Sequence, residues 1–233
     1  MAILGLKKED NDKDYTGYDF TGHDYIMKII EQFAAFLSAI VFYKRAQNYD
    51  MAIIKINEAY TGLLNIDPIE IKELSFQGIV ERNTYGEILD KDNIEIIANL
   101  LYEEADIIER VNENIEESFN CYQKAIELFI LLFDLTKNIK YCKNIEKIII
   151  KLEKYNVENA INFKIYEYFY SIESYGKAED KLYELLDNEY LGIDSEINNF
   201  YGKLLEKDDD NLEKGNLPRN EIIGAISELN NKK

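Results

Sequence analysis

Residues 114–137 read NIEESFNCYQKAIELFILLFDLTK, and this stretch decides the fold. It holds no proline or glycine, so nothing in it breaks a helix. Asn114 with Glu117 three residues later resembles a capping box and marks the start. Ser118, Tyr122 and Ala125 follow at steps of four and three, which puts them on one face of a helix. From Ile126 the string IELFILLFDL is apolar nearly all round. A helix without a polar face is covered on several sides, so the helix ending near Lys137 is expected at the centre of the molecule.

The flanking sequence carries the same period. Before it, a helix is predicted over 93–111, and after it over 139–154 and 158–171. Ser174 opens a further helix to about Asn188, and Asp194 caps one that frays into the charge run at 207–210. A last short helix follows Pro218. Towards the N-terminus, Asp24 caps a long helix to about Gln47, with Ile26, Ile29, Ile30, Phe33, Leu37, Ile40 and Val41 at helical steps. Another covers 49–65, and Asp67-Pro68 opens a helix to about Arg82. Residues 83–92 form a loop around Gly86, and 1–23 a polar arm. The arm repeats itself, YTGYD (15–19) then FTGHD (20–24), and reads as a pair of turns. Two prolines and eleven glycines are few for 233 residues, which favours long helices over strands and turns. The fold expected is all-α, about nine or ten helices, antiparallel because their connections are short.

Three helix pairs align residue by residue. Their second helices carry Ala52, Ile56 and Ala59; then Ser118, Tyr122 and Ala125; then Ala178, Leu182 and Leu185. The small residue that opens each set lets two helices approach closely. YQKAIEL (122–128) and YGKAEDKLYELL (175–186) resemble the tetratricopeptide repeat, as do Phe36, Ala39 and Tyr43 in the first pair. The usual glycine is replaced by Ile40, Asp106 and Tyr166, and Glu109 stands where a tyrosine is common. The anchors at 52, 118 and 178 are 66 and 60 residues apart, against roughly 34 for one repeat. The resemblance therefore implies irregular tetratricopeptide-like hairpins, as an α-α superhelix or a compact bundle. A second resemblance is more local. DYIMKIIEQ (24–32), LLNIDP, and EEAD followed by CYQKAIELF look like an uncharacterised clostridial family with a tetratricopeptide-like core. It covers roughly a core at 24–155; the arm at 1–23 and a C-terminal helical extension of the same array at 156–233 lie outside it.

Forty-five acidic against 27 basic residues give a net charge of −18. Such a field repels nucleic acid and anionic membranes, so neither is expected as a partner. The run Phe33–Tyr43 is too short for a membrane span, which needs about 20 residues. Cys121 and Cys142 form no CxxC motif and read as reduced thiols in a cytoplasmic protein.

Candidate chemistry is sparse. His23 is the sole histidine, and a metal ligand or general base needs partners that it lacks nearby in sequence. Asp10, Asp12 and Asp14 alternate as in a calcium loop, but Tyr15 and Thr21 occupy the positions that need glycine and glutamate. No phosphate-binding, dinucleotide-binding or hydrolase motif occurs. No cofactor, metal or catalytic residue is assigned.

The remaining candidate is the concave surface that the repeat resemblance implies. Its ligand-facing positions become Ala34, Leu37, Val41 and Lys44; Glu103, Ile107 and Arg110; and Phe163, Glu167 and Tyr170. These are mostly apolar, which suits either an amphipathic helix or aromatic peptide, or packing against the helices at 68–82, at 139–154 or after Asp194, which would close the groove. Tyr15, Tyr18 and Phe20 of the arm are candidates to dock on such a groove. The function expected is a non-enzymatic scaffold that binds a protein or peptide, a second copy included. Alternatives are a regulatory peptide sensor, or a helical enzyme or metal protein with carboxylate ligands.

Overall fold

A computed structural model describes residues 15–111 and 114–231, with side chains from 28 to 229. The described residues form twelve α-helices, one 3-10 turn and a single two-stranded hairpin, so the fold is all-α as expected. The chain divides into two compact units between Glu73 and Leu74. Each is described by itself, and the boundary expected after residue 155 lies inside the second.

The first unit contains α1 (Tyr15–Arg45), α2 (Tyr49–Leu64) and α3 (Pro68–Glu73). Helix α1 begins at Tyr15 and not at Asp24, so residues 15–23 are helical and the expected turns are absent there. Once a helix is nucleated, each added residue gains one hydrogen bond, and Gly17 and Gly22 cost only about 1 kcal/mol each against that. The side chains of Tyr15, Tyr18, Phe20 and His23, and all of residues 1–14 with Asp10, Asp12 and Asp14, lie outside the described set. Gln47 turns the chain at positive φ, and the Asn48 side chain accepts from the Met51 amide at 3.2 Å to cap α2. Ile40, Ala52, Ile56, Ala59 and Tyr60 are fully buried in this unit.

The second unit opens with α4 (Phe76–Arg82). The helix expected over 68–82 is thus two short ones. Ser75 interrupts it, because its hydroxyl accepts from the Gly78 amide at 3.1 Å and caps a new start. The loop expected at 83–92 contains β1 (Thr84–Tyr85) and β2 (Ile88–Leu89), paired antiparallel with Thr84 opposite Leu89. Gly86, at φ +65, opens the two-residue turn between them, as hairpin geometry requires.

Then come α5 (Lys91–Val111), α6 (Ile115–Thr136), a 3-10 turn (Ile139–Tyr141), α7 (Cys142–Leu152), α8 (Asn159–Ser171), α9 (Tyr175–Asp187), α10 (Ile193–Leu205), α11 (Asp209–Lys214) and α12 (Arg219–Asn231). Helix α6 is central, touching α4, α5, α7 and α8. Its Ile126, Leu128, Phe129, Ile130, Leu132 and Phe133 are buried. At its start Asn114 accepts from the Glu117 amide at 3.1 Å and donates to the Glu117 carboxylate at 3.0 Å. The pairs α1/α2, α5/α6 and α8/α9 pack as the sequence alignment requires, and all nine anchor residues are buried. In the middle pair Ser118 donates to the Ala105 carbonyl at 2.9 Å, so the small side chain both permits and bonds the close approach.

Two termini differ from expectation. Gly192, at φ +84, precedes α10, and Asp194 sits inside the first turn. Asp208 does not mark a frayed end: it caps α11, accepting from the Asn211 amide at 2.8 Å. Arg219 closes the end of α10 by donating to the Leu205 and Lys207 carbonyls, at 3.1 and 2.5 Å, which the helix leaves without partners of its own.

Candidate functional site

The ten partner-facing positions read from sequence are divided between the two units. Ala34, Leu37, Val41 and Lys44 lie on α1 of the first unit, where Ala34 is exposed and the other three half-buried. The remaining six lie on α5 and α8 of the second unit, and α6 touches both of those helices.

On α5 the expected binding positions differ in exposure. Ile107 is buried, Glu103 is half-buried and Arg110 is exposed. Arg110 donates from Nε to Asp106 at 2.8 Å. Asp106, 2% exposed, also receives Lys151 of α7 at 2.7 Å. Lys151 reaches Glu109 at 2.5 Å as well, Lys154 reaches it at 2.6 Å, and the Tyr122 hydroxyl donates to it at 3.1 Å. Burial works to raise the Glu109 carboxyl, but the lysine hydrogen bonds outweigh it and hold the group below its ordinary range. Burial, with Asp106 and Glu109 beside it, pushes the Tyr122 phenol far up. The departures from the repeat pattern at Asp106 and Glu109 are therefore the two carboxylates of a brace between α5 and α7.

On α8, Glu167 and Tyr170 line a cleft of about 330 Å³ with Asp134, Tyr166, Ser171, Glu196 and Lys203. Partial burial first, then repulsion from Asp134 and Glu196, raises the Glu167 carboxyl above its usual range. Tyr166 donates to Glu196 at 2.7 Å. Phe163 lies apart from this cleft and packs its ring on Tyr166 and Tyr190.

A larger groove runs over the opposite side of α8. Its walls are Glu146, Ile149, Ile150 and Glu153 of α7 and Lys177, Asp180, Lys181 and Glu184 of α9, with buried Phe169 between them. Both walls use the spacing i, i+3, i+4, i+7, so each presents one continuous helical face. The groove measures about 440 Å³. It continues into a second hollow of about 280 Å³ floored by Asn162, Ile165 and Val157, sharing Ile149, Glu153, Lys181 and Glu184.

The polar groups in this groove divide into committed and uncommitted ones. Asn162, fully buried, donates to Glu184 at 2.9 Å, and Lys181 pairs with Glu184 at 2.5 Å. Lys177 stands 5.3 Å from the Phe169 ring centroid, a cation–π distance. The carboxylates of Glu146, Glu153 and Asp180 make no hydrogen bond or ion pair with a described residue. Ile150 is 61% exposed at the rim. The arrangement has an apolar floor, one satisfied polar cluster and three unengaged carboxylates. Its sequence signal was the matched four-residue rows on two helices separated by one.

Among the described residues no group of three or more His, Cys, Asp or Glu is placed to hold a metal ion, and no helix is long and apolar enough to cross a membrane. No curated protein and no solved structure matches the chain. A family of unknown function, DUF6483, has a model that matches residues 20–233 and so includes the C-terminal third that the local resemblance left out. By that match over nearly its whole length, the chain belongs to the DUF6483 family of unknown function.

Proposed function

We propose that the chain is a non-enzymatic, tetratricopeptide-like helical scaffold that binds a protein or peptide segment in the groove between α7, α8 and α9. The observation that carries this reading is the pair of facing helical rows over buried Phe169 and Ile165. The volume falls in the range of about 300–1,000 Å³ typical of ligand-sized clefts. An occupant gains by burying apolar side chains on Phe169, Ile149 and Ile150, at about 25 cal/mol per Å². Glu146, Glu153 and Asp180 favour basic side chains at its edges, and the net charge of −18 steers such a segment inward. Free Cys121 and Cys142 suit work in the reducing cytoplasm.

The test is site-specific photocrosslinking in the native host. A benzophenone side chain at Ile150 is expected to capture a partner chain, and the same group at Leu191, which is 95% exposed and outside the groove, is not. Equal capture at both positions, or none at Ile150, overturns the assignment.

A further inference from the structure

The groove between α7, α8 and α9 spends its cations and keeps its anions. Lys181 pairs with Glu184 at 2.5 Å, and the Lys177 ammonium lies over the Phe169 ring. The carboxylates of Glu146, Glu153 and Asp180, all on exposed residues, have no such partner among the described residues. The remaining lysines of α7 do not answer them. Lys151 and Lys154 turn to Asp106 and Glu109 of α5, while Lys143 and Lys147 line neither hollow. Unanswered negative charge therefore stands on both walls of an apolar floor, Ile149 and Phe169, with Ile150 61% exposed at the rim.

Resting on the groove assignment above, we propose that the occupant is a basic amphipathic helix of a partner protein. It lays an apolar ridge on Ile149, Ile150 and Phe169 and sets lysine or arginine at both edges. The helical form follows from the walls. The backbones of α7, α8 and α9 bond within their own helices, and the buried Asn162 amide is held by Glu184 at 2.9 Å and Lys181 at 3.5 Å. An extended segment would find no ladder of main-chain partners along these helical walls, whereas a helix brings its own hydrogen bonds with it.

The charges set the register. Glu146 and Glu153 stand seven residues apart on α7, which is about 10 Å along its axis. Cations seven residues apart on one edge of the bound helix match them, and a third on the other edge meets Asp180. A free polyamine has the charge but no apolar ridge, so the floor selects a peptide.

Fluorescence anisotropy of the full chain with labelled model peptides tests this. The probe is a leucine–lysine helix of about 14 residues, or four turns, with lysines seven apart along the edges of a leucine ridge. It should bind at least ~10-fold tighter than a peptide of the same composition whose leucines are scattered round the helix. Glu146→Gln, Glu153→Gln and Asp180→Asn combined should weaken binding about 10-fold at low salt, the scale of several exposed ion pairs, and the difference should fade at high salt. Glu116→Gln, Glu206→Gln and Glu221→Gln combined remove the same charge outside the groove and should change binding far less. Circular dichroism confirms that both triple variants are folded. Equal binding of the scattered peptide, equal loss in the two triple variants, no loss in the groove variant, or displacement by spermine as effective as by unlabelled peptide would each overturn the basic helix. Photocrosslinking at Ile150 separates the two readings: capture there alongside any of these failures leaves the groove standing, and no capture sinks both.

Discussion

Replacing Lys151 by methionine keeps most of the stem that lies over Tyr122 and removes the ammonium that ties α7 to α5. In the native chain that ammonium sits 2.7 Å from Asp106 and 2.5 Å from Glu109, whose side chains are only 3% and 17% exposed. Breaking a buried pair by deleting one member costs about 3–5 kcal/mol, because the surviving charge stays desolvated. Here Arg110 still holds Asp106 at 2.8 Å and Lys154 still holds Glu109 at 2.6 Å. The expected loss therefore falls below that range, at about 2–3 kcal/mol. For a chain of this size that lowers the unfolding midpoint by roughly 5–10 °C. The clean assay is a double-mutant cycle in urea, with Lys151→Met, Asp106→Asn and both together. Residues in one charge network should couple by about 1–2 kcal/mol. The pH dependence has a fixed sign. Glu109 titrates below its ordinary 4.5 in the folded chain, so its contribution is present above that value and is lost as pH falls through the folded one. The gap between the wild type and Lys151→Met should then shrink in acid. Additive single mutants, or a gap that widens on acidification, would refute the brace.

Two further outcomes test the packing. Gly215→Ala should destabilise by about 1–3 kcal/mol, as overpacking does, because a Cβ there would stand 2.7 Å from the Glu173 carbonyl and would overlap the Tyr175 ring; chemical denaturation measures it, and a neutral result would mean that α9 and α11 separate freely. Glu167→Gln should stabilise at pH 7 and lose that advantage near pH 4: a raised carboxyl pKa favours the fold only below the unfolded value and opposes it as pH rises through the folded one. Melting curves at the two pH values check the reversal.

Helix positions were legible because the period of apolar residues is a local property. Asn114 and Pro68 announced helix starts, and the nine anchors of the three hairpins all proved buried. The errors have local causes as well. Ser75 could either continue a helix or cap a new one, and only the Gly78 amide within its reach decided which. The hairpin at 84–89 is two residues per strand, too short for an alternating pattern to show. Aromatics and glycines at 15–23 suggested turns, yet the long helix beyond them carried the backbone through.

The candidate site was less legible. Of the first-helix positions read on α5, Ile107 is buried while Arg110 stays exposed and pairs with Asp106. On α8 the face chosen from the repeat pattern, with Glu167 and Tyr170, opens on a small acidic cleft, whereas Asn162, Ile165 and Phe169 of the other face floor the larger groove. The sequence by itself determined that this chain is helical and which residues seed each hairpin. Periodicity, capping and charge need no knowledge of neighbours. Which helix faces stay open was decided by tertiary structure alone, because exposure depends on what packs alongside. Lys151 reaches Asp106 across 45 residues, and α7 and α9 line one groove with Phe169 of α8 between them, at separations that no local pattern encodes.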